Sequence, residues 1–170
     1  MEASPLVGIV MGSDSDFESL ASAFETLRQF GVPFEVRVSS AHRTPDVTAE
    51  WASSARARGL KVLLAAAGGA AHLAGAVAAH TTLPVVGIPV AGGSLNGMDA
   101  LLATVQMPGG VPVATVAVGS AGPKNAALLA VQILALSDET LARKFAEFKA
   151  GLAAKVASAN ERVQAKLAAL

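Results

Sequence analysis

Leu6-Val7-Gly8-Ile9-Val10-Met11 is a short apolar run that leads directly into a polar turn, Gly12-Ser13-Asp14-Ser15-Asp16. Beyond this turn apolar side chains recur at spacings of three and four, at Phe17, Leu20, Phe24, Leu27 and Phe30, and a glycine follows them. This order predicts a buried strand over Val7–Met11 and an amphipathic helix over Asp16–Phe30.

The same alternation of a short apolar run with a helical stretch continues along the chain. Further strands are predicted over Phe34–Val38, Lys61–Ala65, Val85–Val90 and Ala114–Val118. Further helices are predicted over Pro45–Arg58, Ala71–His80, Asn96–Thr104 and Lys124–Leu136. Such a pattern is typical of a doubly wound α/β fold, in which helices cover both faces of a parallel sheet. Ligands of these folds bind beyond the carboxyl ends of the strands.

The composition of the chain limits the kinds of partner it can have. The chain has 170 residues, 13 basic and 13 acidic side chains, three histidines and no cysteine. The length predicts one domain, and the balanced charge gives no long-range attraction to nucleic acid or to an anionic membrane. Disulfides and thiolate nucleophiles are excluded, and the dispersed histidines do not suggest a metal site. We therefore expect a soluble protein with a small-molecule ligand.

No segment of the sequence has the pattern of a secretory signal or a membrane span. The N-terminal residues Met1–Pro5 lack the basic start of a signal peptide. The most apolar region, Val62–Val90, is interrupted by glycines, histidines and a proline, which indicates buried strands and helices. We expect a cytoplasmic location.

Residues 137–170 form a tail that differs from the α/β region over residues 1–136. Ser137-Asp138-Glu139 is typical of a helix start, and an apolar stripe without any strand-like run follows it. A helix of this length would span ~45 Å, whereas a domain of this size has a radius of gyration of roughly 15 Å. We expect the tail to belong to the same domain and to pack on a neighbouring subunit. The alternative is a helix that wraps around its own domain or frays at its end.

The segment Ser39-Ser40-Ala41-His42-Arg43-Thr44-Pro45 follows the second predicted strand and is a first candidate site. The His42 imidazole can transfer protons near neutral pH, and the Arg43 guanidinium can clamp a phosphate or carboxylate through two donors. The alternatives are a surface ion pair for Arg43 and a turn position without a catalytic role for His42.

Two glycine-containing turns are further candidates. In Gly12–Asp16, serine hydroxyls and backbone amides can hold a phosphate while Asp16 accepts hydrogen bonds from a sugar, although plain capping of the helix explains the same residues. In Gly68-Gly69-Ala70-Ala71-His72-Leu73, small residues let the backbone approach a ligand, with His72 at the pocket. The alternative for this second turn is close packing around a hydrogen-bonded histidine.

In their order and spacing these segments resemble the class I PurE family of purine biosynthesis. The resemblance rests on Val10–Asp16, Ser39–Asp46 and Gly68–Leu73, and it continues through Val105–Pro108 and Asn125–Ala130. It implies a three-layer, flavodoxin-like α/β subunit in a homo-octamer, with active sites at subunit junctions. It further implies an isomerase that moves the carboxylate of N5-carboxyaminoimidazole ribonucleotide from the exocyclic nitrogen to C4, with no ATP, metal or organic cofactor.

Carried onto this chain, the resemblance gives each candidate residue a role. His42 is the general acid and base, Ser13 and Arg43 bind the phosphate, and Asp16 binds the ribose. Ser40 is a further substrate contact, and the carboxylate pocket is bordered by Gly69, Ala70 and His72. Arg43 favours this mutase over class II AIR carboxylases, which carboxylate aminoimidazole ribonucleotide directly and more often have lysine there. A nucleotide-binding module without catalysis is the remaining alternative.

Overall fold

A computed structural model describes residues 4–170 of the chain. Residues 1–3, which form part of the N-terminal segment discussed above, lie outside the described residues. Five strands form one parallel sheet in the order β2-β1-β3-β4-β5. Their bounds are β1 Val7–Met11, β2 Phe34–Val38, β3 Val62–Ala67, β4 Val85–Pro89 and β5 Ala114–Thr115. This is the flavodoxin-like order, so the predicted doubly wound sheet is confirmed.

Six α-helices connect and cover the strands within the described residues. They are α1 Ala21–Phe30, α2 Pro45–Ser54, α3 Leu73–Ala79, α4 Met98–Val105, α5 Ala121–Ala135 and α6 Glu139–Ala168. Within residues 4–170, no helix combines the length and the hydropathy that crossing a membrane requires.

The sheet separates two apolar layers, and the alternation of side chains along each strand decides which layer they enter. Val7, Ile9 and Met11 of β1 pack with α1, α5 and the start of α6. Val10 of β1 packs on the other face with α2 and α3, and α4 also covers β4 on that side. Strands β1, β3 and β4 are therefore buried on both faces, as their nearly continuous apolar sequences predict.

Several predicted elements, among them the first helix and the last strand, are shorter in the structure than in the sequence-based prediction. The segment expected to open the first helix at Asp16 forms two 3-10 turns, Asp14–Asp16 and Glu18–Leu20, before α1 begins. Strand β5 ends at Thr115, and α5 begins at Ala121. A Cβ atom on Gly122 would lie 2.0 Å from the Ala117 carbonyl oxygen, so the start of α5 presses against the residues that would otherwise extend the strand.

The long tail helix begins as predicted and continues without interruption. The Asp138 carboxylate accepts hydrogen bonds from the backbone N–H groups of Thr140 and Leu141, at 2.9 and 3.0 Å, and so caps α6. Its first turns pack on the domain, where Phe145 and Phe148 contact the Phe30 ring. The Lys144 ammonium group donates to the Phe30 carbonyl oxygen at 3.0 Å, which also ties the helix to the end of α1.

Candidate active site

The turns that follow β1, β2 and β3 meet around one open cavity at the carboxyl edge of the sheet. Chain connections leave in opposite directions on either side of β1, so the cavity lies at the topological switch point, where doubly wound sheets bind their ligands. Its volume is about 250 Å³. It is lined by Gly12, Ser13 and Asp16 after β1, by Ser40, Ala41, His42 and Arg43 after β2, and by Ala67, Gly68, Ala70 and Leu73 after β3.

The turn after β1 is organised by the Ser13 hydroxyl. It accepts hydrogen bonds from the Ser15 backbone N–H at 3.3 Å and from the Ser15 hydroxyl at 2.9 Å. Ser13 therefore caps the first 3-10 turn, which is the alternative anticipated for it, and it also lines the cavity. The two bonds from Ser15 occupy both lone pairs of this oxygen, and the Ser13 hydroxyl donates its hydrogen to the Asp14 carboxylate at 3.2 Å. A ligand that accepts this hydrogen would therefore replace Asp14 as its partner.

Asp16 is a half-buried acid on the cavity wall. Loss of hydration on burial raises the pKa of its carboxyl group above the usual value of 3.8. Hydrogen bonds from the Ser13 backbone and the Ser15 side chain lower this pKa and so oppose the effect of burial. The negative charge of the neighbouring Asp14 raises the pKa slightly further. Burial is the largest contribution, so the ionised form of Asp16 is less stable here than in water.

Arg43 reaches from the turn after β2 to the turn after β1. Its Nη2 donates to the Gly12 carbonyl oxygen at 3.2 Å, and its Nε lies 3.5 Å from the Ser40 hydroxyl oxygen. Across residues 4–170 the single ion pair recorded joins Glu35 to Arg58, so Arg43 is not held in the surface ion pair considered as its alternative. The guanidinium group thus places a positive charge beside Ser13.

His42 and His72 form a hydrogen-bonded pair across the cavity mouth. The His42 Nε2 and His72 Nδ1 atoms are 2.8 Å apart, and the two rings meet nearly edge to face at 86°. One of these nitrogens must carry the shared hydrogen, because two lone pairs or two N–H groups would repel each other. Both rings are exposed to solvent in this chain. The pair joins the turn after β2 to the turn after β3.

The structure brings most of the predicted site residues together. Ser13, Asp16, Ser40, His42, Arg43 and Ala70 line the cavity, and His72 reaches it through His42. Gly69 lies on an adjoining cleft of about 410 Å³ that it shares with Asp16, Gly92, Gly93 and Asp99.

Sequence reasoning did not single out Ala67 and Leu73 as wall residues. Ala67 and Leu73 look like ordinary core residues in the sequence. Their positions at the end of β3 and the start of α3 would have been the only signal.

The described residues contain no group of three or more histidine, cysteine, aspartate or glutamate side chains placed to hold a metal ion. The polar side-chain groups that converge on the cavity are an imidazole pair, one guanidinium group, one carboxyl group and two hydroxyls. This set can bind an anionic, hydroxyl-bearing molecule and can move a proton.

The fold and this cavity define the class of the protein: a flavodoxin-like α/β protein with a polar cavity at the carboxyl edge of its sheet, lined by an imidazole, a guanidinium group, a carboxyl group and hydroxyls. Comparison with known families then identifies the particular one. The family described as AIR carboxylase matches residues 6–155, and the chain belongs to this family.

Individual relatives agree with the family assignment. The chain is 61% identical to N5-carboxyaminoimidazole ribonucleotide mutase of Bacillus subtilis over 143 residues, which cover 84% of this chain and 88% of that protein. It is 50% identical to the mutase of Thermotoga maritima over 160 residues, which cover 94% and 92% of the two chains. The crystal structure of Treponema denticola PurE superposes with a TM-score of 0.84 at 29% identity and covers 93% of this chain and 98% of that one.

Proposed function

We propose that this protein is an N5-carboxyaminoimidazole ribonucleotide mutase, an isomerase of purine biosynthesis. It would convert N5-carboxyaminoimidazole ribonucleotide to 4-carboxyaminoimidazole ribonucleotide. Relatives of that name, 50–61% identical over most of the chain, support the proposal. The observation that carries it is that His42, Arg43, Ser13 and Asp16, from two separate turns, face one cavity.

His42 is the proton-transfer group in this proposal. The substrate releases its carboxylate as CO2 when the N–C bond breaks, and the exocyclic nitrogen receives a proton from the imidazole. After CO2 forms the new bond to C4, the same imidazole removes the C4 proton and the ring recovers its aromaticity. Protons and carboxylate are conserved overall, so the reaction consumes no other reactant, and we propose no cofactor. The His42 Nε2 atom must leave His72 to act, or the proton must pass through Nδ1.

Arg43 and Ser13 are the proposed phosphate ligands. Arg43 donates one of its N–H groups to the Gly12 carbonyl oxygen, and this bond holds the guanidinium group over the turn that carries Ser13. Its remaining donors can face a phosphate, and the Ser13 hydroxyl lies in the same cavity. Asp16 would accept hydrogen bonds from the ribose hydroxyls, a role that suits a carboxylate kept apart from the phosphate.

The turn after β3 supplies the proposed carboxylate pocket, with Ser40 as a further substrate contact. Ala70 lines the cavity, Gly69 lies on the adjoining cleft, and His72 contacts His42. Small residues leave room for CO2 to remain near C4 between release and capture. Keeping water out of this space favours recapture over loss.

We also propose that the protein is a cytoplasmic homo-oligomer, an octamer, in which the tail over residues 137–170 packs on a neighbouring subunit. The exposed apolar side chains of the second half of α6 support this. Leu152, Val156, Val163 and Leu167 are 42–71% exposed in the single chain. A second copy of the chain would bury them.

A comparison of substrates tests the mutase activity. Purified protein is supplied with N5-carboxyaminoimidazole ribonucleotide in one assay and with aminoimidazole ribonucleotide plus bicarbonate in another. We expect much faster formation of 4-carboxyaminoimidazole ribonucleotide in the first assay. A faster second assay would make the protein an AIR carboxylase that uses CO2 directly. Tight binding of both nucleotides without conversion would make it a binding module.

A further inference from the structure

A cluster of three hydroxyl groups lies directly beneath the turn that carries His42 and Arg43. The Ser39 and Thr48 hydroxyl oxygens are 2.7 Å apart, and the Ser39 and Thr44 hydroxyl oxygens are 3.4 Å apart. Ser39 is 4% exposed and Thr48 is 1% exposed, so two members of this hydroxyl cluster are buried. The function proposed above gives none of the three a role.

The hydrogen bonds of Thr44 close the turn. Its hydroxyl oxygen accepts from the Ser40 backbone N–H at 3.0 Å, and the hydroxyl donates to the Ser40 carbonyl oxygen at 3.1 Å. The Thr44 backbone N–H also donates to the Ser40 carbonyl oxygen, at 2.8 Å. Thr44 thus binds both the backbone N–H and the carbonyl oxygen of Ser40. His42 and Arg43 lie between these two residues in the closed turn.

Thr44 makes these bonds instead of capping α2. It occupies the N-cap position of that helix, where a threonine side chain ordinarily accepts a hydrogen bond from the second or third helical N–H group, but the structure records no such bond for Thr44. The hydroxyl points back to the turn. A residue that served only the stability of α2 would use its hydroxyl on the helix.

Thr48 anchors this arrangement to the interior. Its hydroxyl donates to the Thr44 carbonyl oxygen at 3.1 Å, and its oxygen can then accept the Ser39 hydroxyl hydrogen. Ser39 in turn is fixed by its backbone N–H, which donates to the Met11 carbonyl oxygen at 2.9 Å at the end of β1. The hydrogen-bonded chain therefore runs from the central strand through Ser39 and Thr48 to Thr44.

We propose that Thr44 and Thr48 are positioning residues for the reaction. Their hydroxyls hold the Ser40–Thr44 turn so that the His42 ring lies at the cavity and Arg43 is directed to the Gly12 carbonyl oxygen. Neither threonine touches the substrate. The proposal rests on the catalytic and phosphate-binding roles given above to His42 and Arg43. Loss of the hydroxyls would misplace both side chains at once, so substrate binding and turnover would weaken together.

The test replaces each threonine by an isosteric residue without a hydroxyl and by one that retains it. Thr44→Val and Thr48→Val are compared with Thr44→Ser and Thr48→Ser in steady-state assays of the mutase reaction. We expect each valine variant to lower kcat/KM by about five- to tenfold, the size of one lost hydrogen bond, with the loss divided between a higher KM and a lower kcat. The serine variants should restore both constants to within about twofold.

Thr26→Val is the matched control for loss of a buried hydroxyl. The Thr26 hydroxyl donates to the carbonyl oxygen four residues earlier, at 2.7 Å, as the Thr48 hydroxyl does, and its side chain is 4% exposed in α1, far from the cavity. It should leave KM and kcat unchanged. KM separates positioning from simple instability, because a partly unfolded preparation lowers the apparent kcat without changing KM. Thr44 is exposed, so Thr44→Val tests the proposal even if Thr48→Val does not fold.

Two outcomes would contradict the proposal. An unchanged KM in folded Thr44→Val would overturn it, and so would a Thr44→Ser variant as impaired as Thr44→Val. His42→Asn in the same assays separates these results from a failure of the proposed function. If His42→Asn abolishes turnover while Thr44→Val behaves as wild type, the role of His42 stands and only the positioning role is lost. If His42→Asn is fully active, the catalytic role itself fails.

Discussion

His42 and Arg43 are adjacent in sequence, but their side chains contact opposite walls of the cavity. The Ser40–Thr44 turn makes this possible, because His42 reaches the turn after β3 and Arg43 reaches the turn after β1. One short segment therefore joins all three turns. Such a segment can place a proton-transfer group, His42, and an anion-binding group, Arg43, independently of each other. Replacement of the two residues should therefore have different effects.

His42→Asn should abolish turnover and leave substrate affinity largely intact. Asparagine retains a hydrogen-bonding side chain of similar reach but cannot carry a proton between atoms of the substrate at neutral pH. Assays stopped at fixed times measure the turnover rate, and calorimetric titration with the product measures the binding affinity. Arg43→Ala is the complementary variant, with affinity expected to fall because the phosphate loses its cation. Turnover near the wild-type rate in His42→Asn would contradict the acid–base role.

Asp16→Asn should make the protein more stable at neutral pH while weakening substrate binding. Because burial raises the pKa of Asp16, the folded state binds its proton more tightly than the unfolded state does, and ionisation costs stability as the pH rises through and beyond the raised pKa. The amide cannot ionise and avoids this cost. The difference in Tm between variant and wild type should therefore be smallest below pH ~4 and increase toward pH 7.

Thermal unfolding followed by circular dichroism across this pH range measures the effect. A difference in Tm that shrinks as the pH rises would show that hydrogen bonding, and not burial, dominates the environment of Asp16. Asp14→Asn is a companion variant, because the Asp14 charge adds to the raised pKa of Asp16 and its loss should make the pH dependence smaller.

The sequence identified the kinds of group in the site better than it identified their contacts. Polar residues at strand ends in an apolar chain pointed to His42, Arg43, Ser13 and Asp16, and all four line the cavity. The 2.8 Å contact between His42 and His72 was not predicted, because it depends on β2 and β3 lying on either side of β1. Alternation of strands and helices does not itself determine that order.

Strand β1 shows how one small residue lets two elements approach. A Cβ atom on Gly8 would lie 2.9 Å from Leu63 Cδ2 and 2.9 Å from Trp51 Cζ2. The absence of a side chain lets the Trp51 ring of α2 close over the central strand. Trp51 in turn donates from Nε1 to the Glu35 carboxylate at 2.7 Å, which links α2 to the edge strand β2.

Gly8→Ala should destabilise the fold by about 1–3 kcal/mol, the usual cost of an extra methyl group in a packed core. Gly109→Ala is the control, because a Cβ atom there meets nothing within 4 Å. Denaturant unfolding at fixed protein concentration measures both variants. Equal stabilities for the two variants would mean that Trp51 and Leu63 move aside without cost.

Periodicity located strands more precisely than helices. The bounds of β1 and β2 are those predicted, since apolar runs between polar turns leave little choice. The start of α1 and the end of β5 were wrong because hydrogen bonding at Ser13 and the tight turn before α5 decide them. Both effects arise from contacts that no periodic pattern contains.

For the molecule as a whole, the resemblance to the PurE family predicted fold and family correctly, and both are confirmed. The assembly remains a proposal, and α6 is where it can be tested. The proximal half of this helix packs on its own domain through Phe145 and Phe148, whereas the distal half exposes an apolar stripe.

Val156→Asp should shift the protein to smaller assemblies and leave the monomer fold intact. Val156 is 71% exposed in the single chain and contributes to the distal stripe, so a carboxylate there would oppose burial by a second copy. Ala154→Asp is the matched control, since residue 154 lies about 160° around the helix from residue 156. Size-exclusion chromatography with light scattering measures the mass. An unchanged mass for Val156→Asp would place the subunit contacts elsewhere.

Every residue that lines the cavity lies between Gly12 and Leu73. A ribosome therefore completes the chemical groups of the site before it has made half of the chain. Helix α1 covers only part of the face on its side of the sheet, and α5, which completes this layer, is synthesised some fifty residues later. A nascent chain in that interval presents an apolar sheet with a finished set of polar turns along its edge. Exposed apolar surface of this kind makes folding intermediates prone to aggregate, and the synthesis of α5 is the step that allows this face of the sheet to be closed.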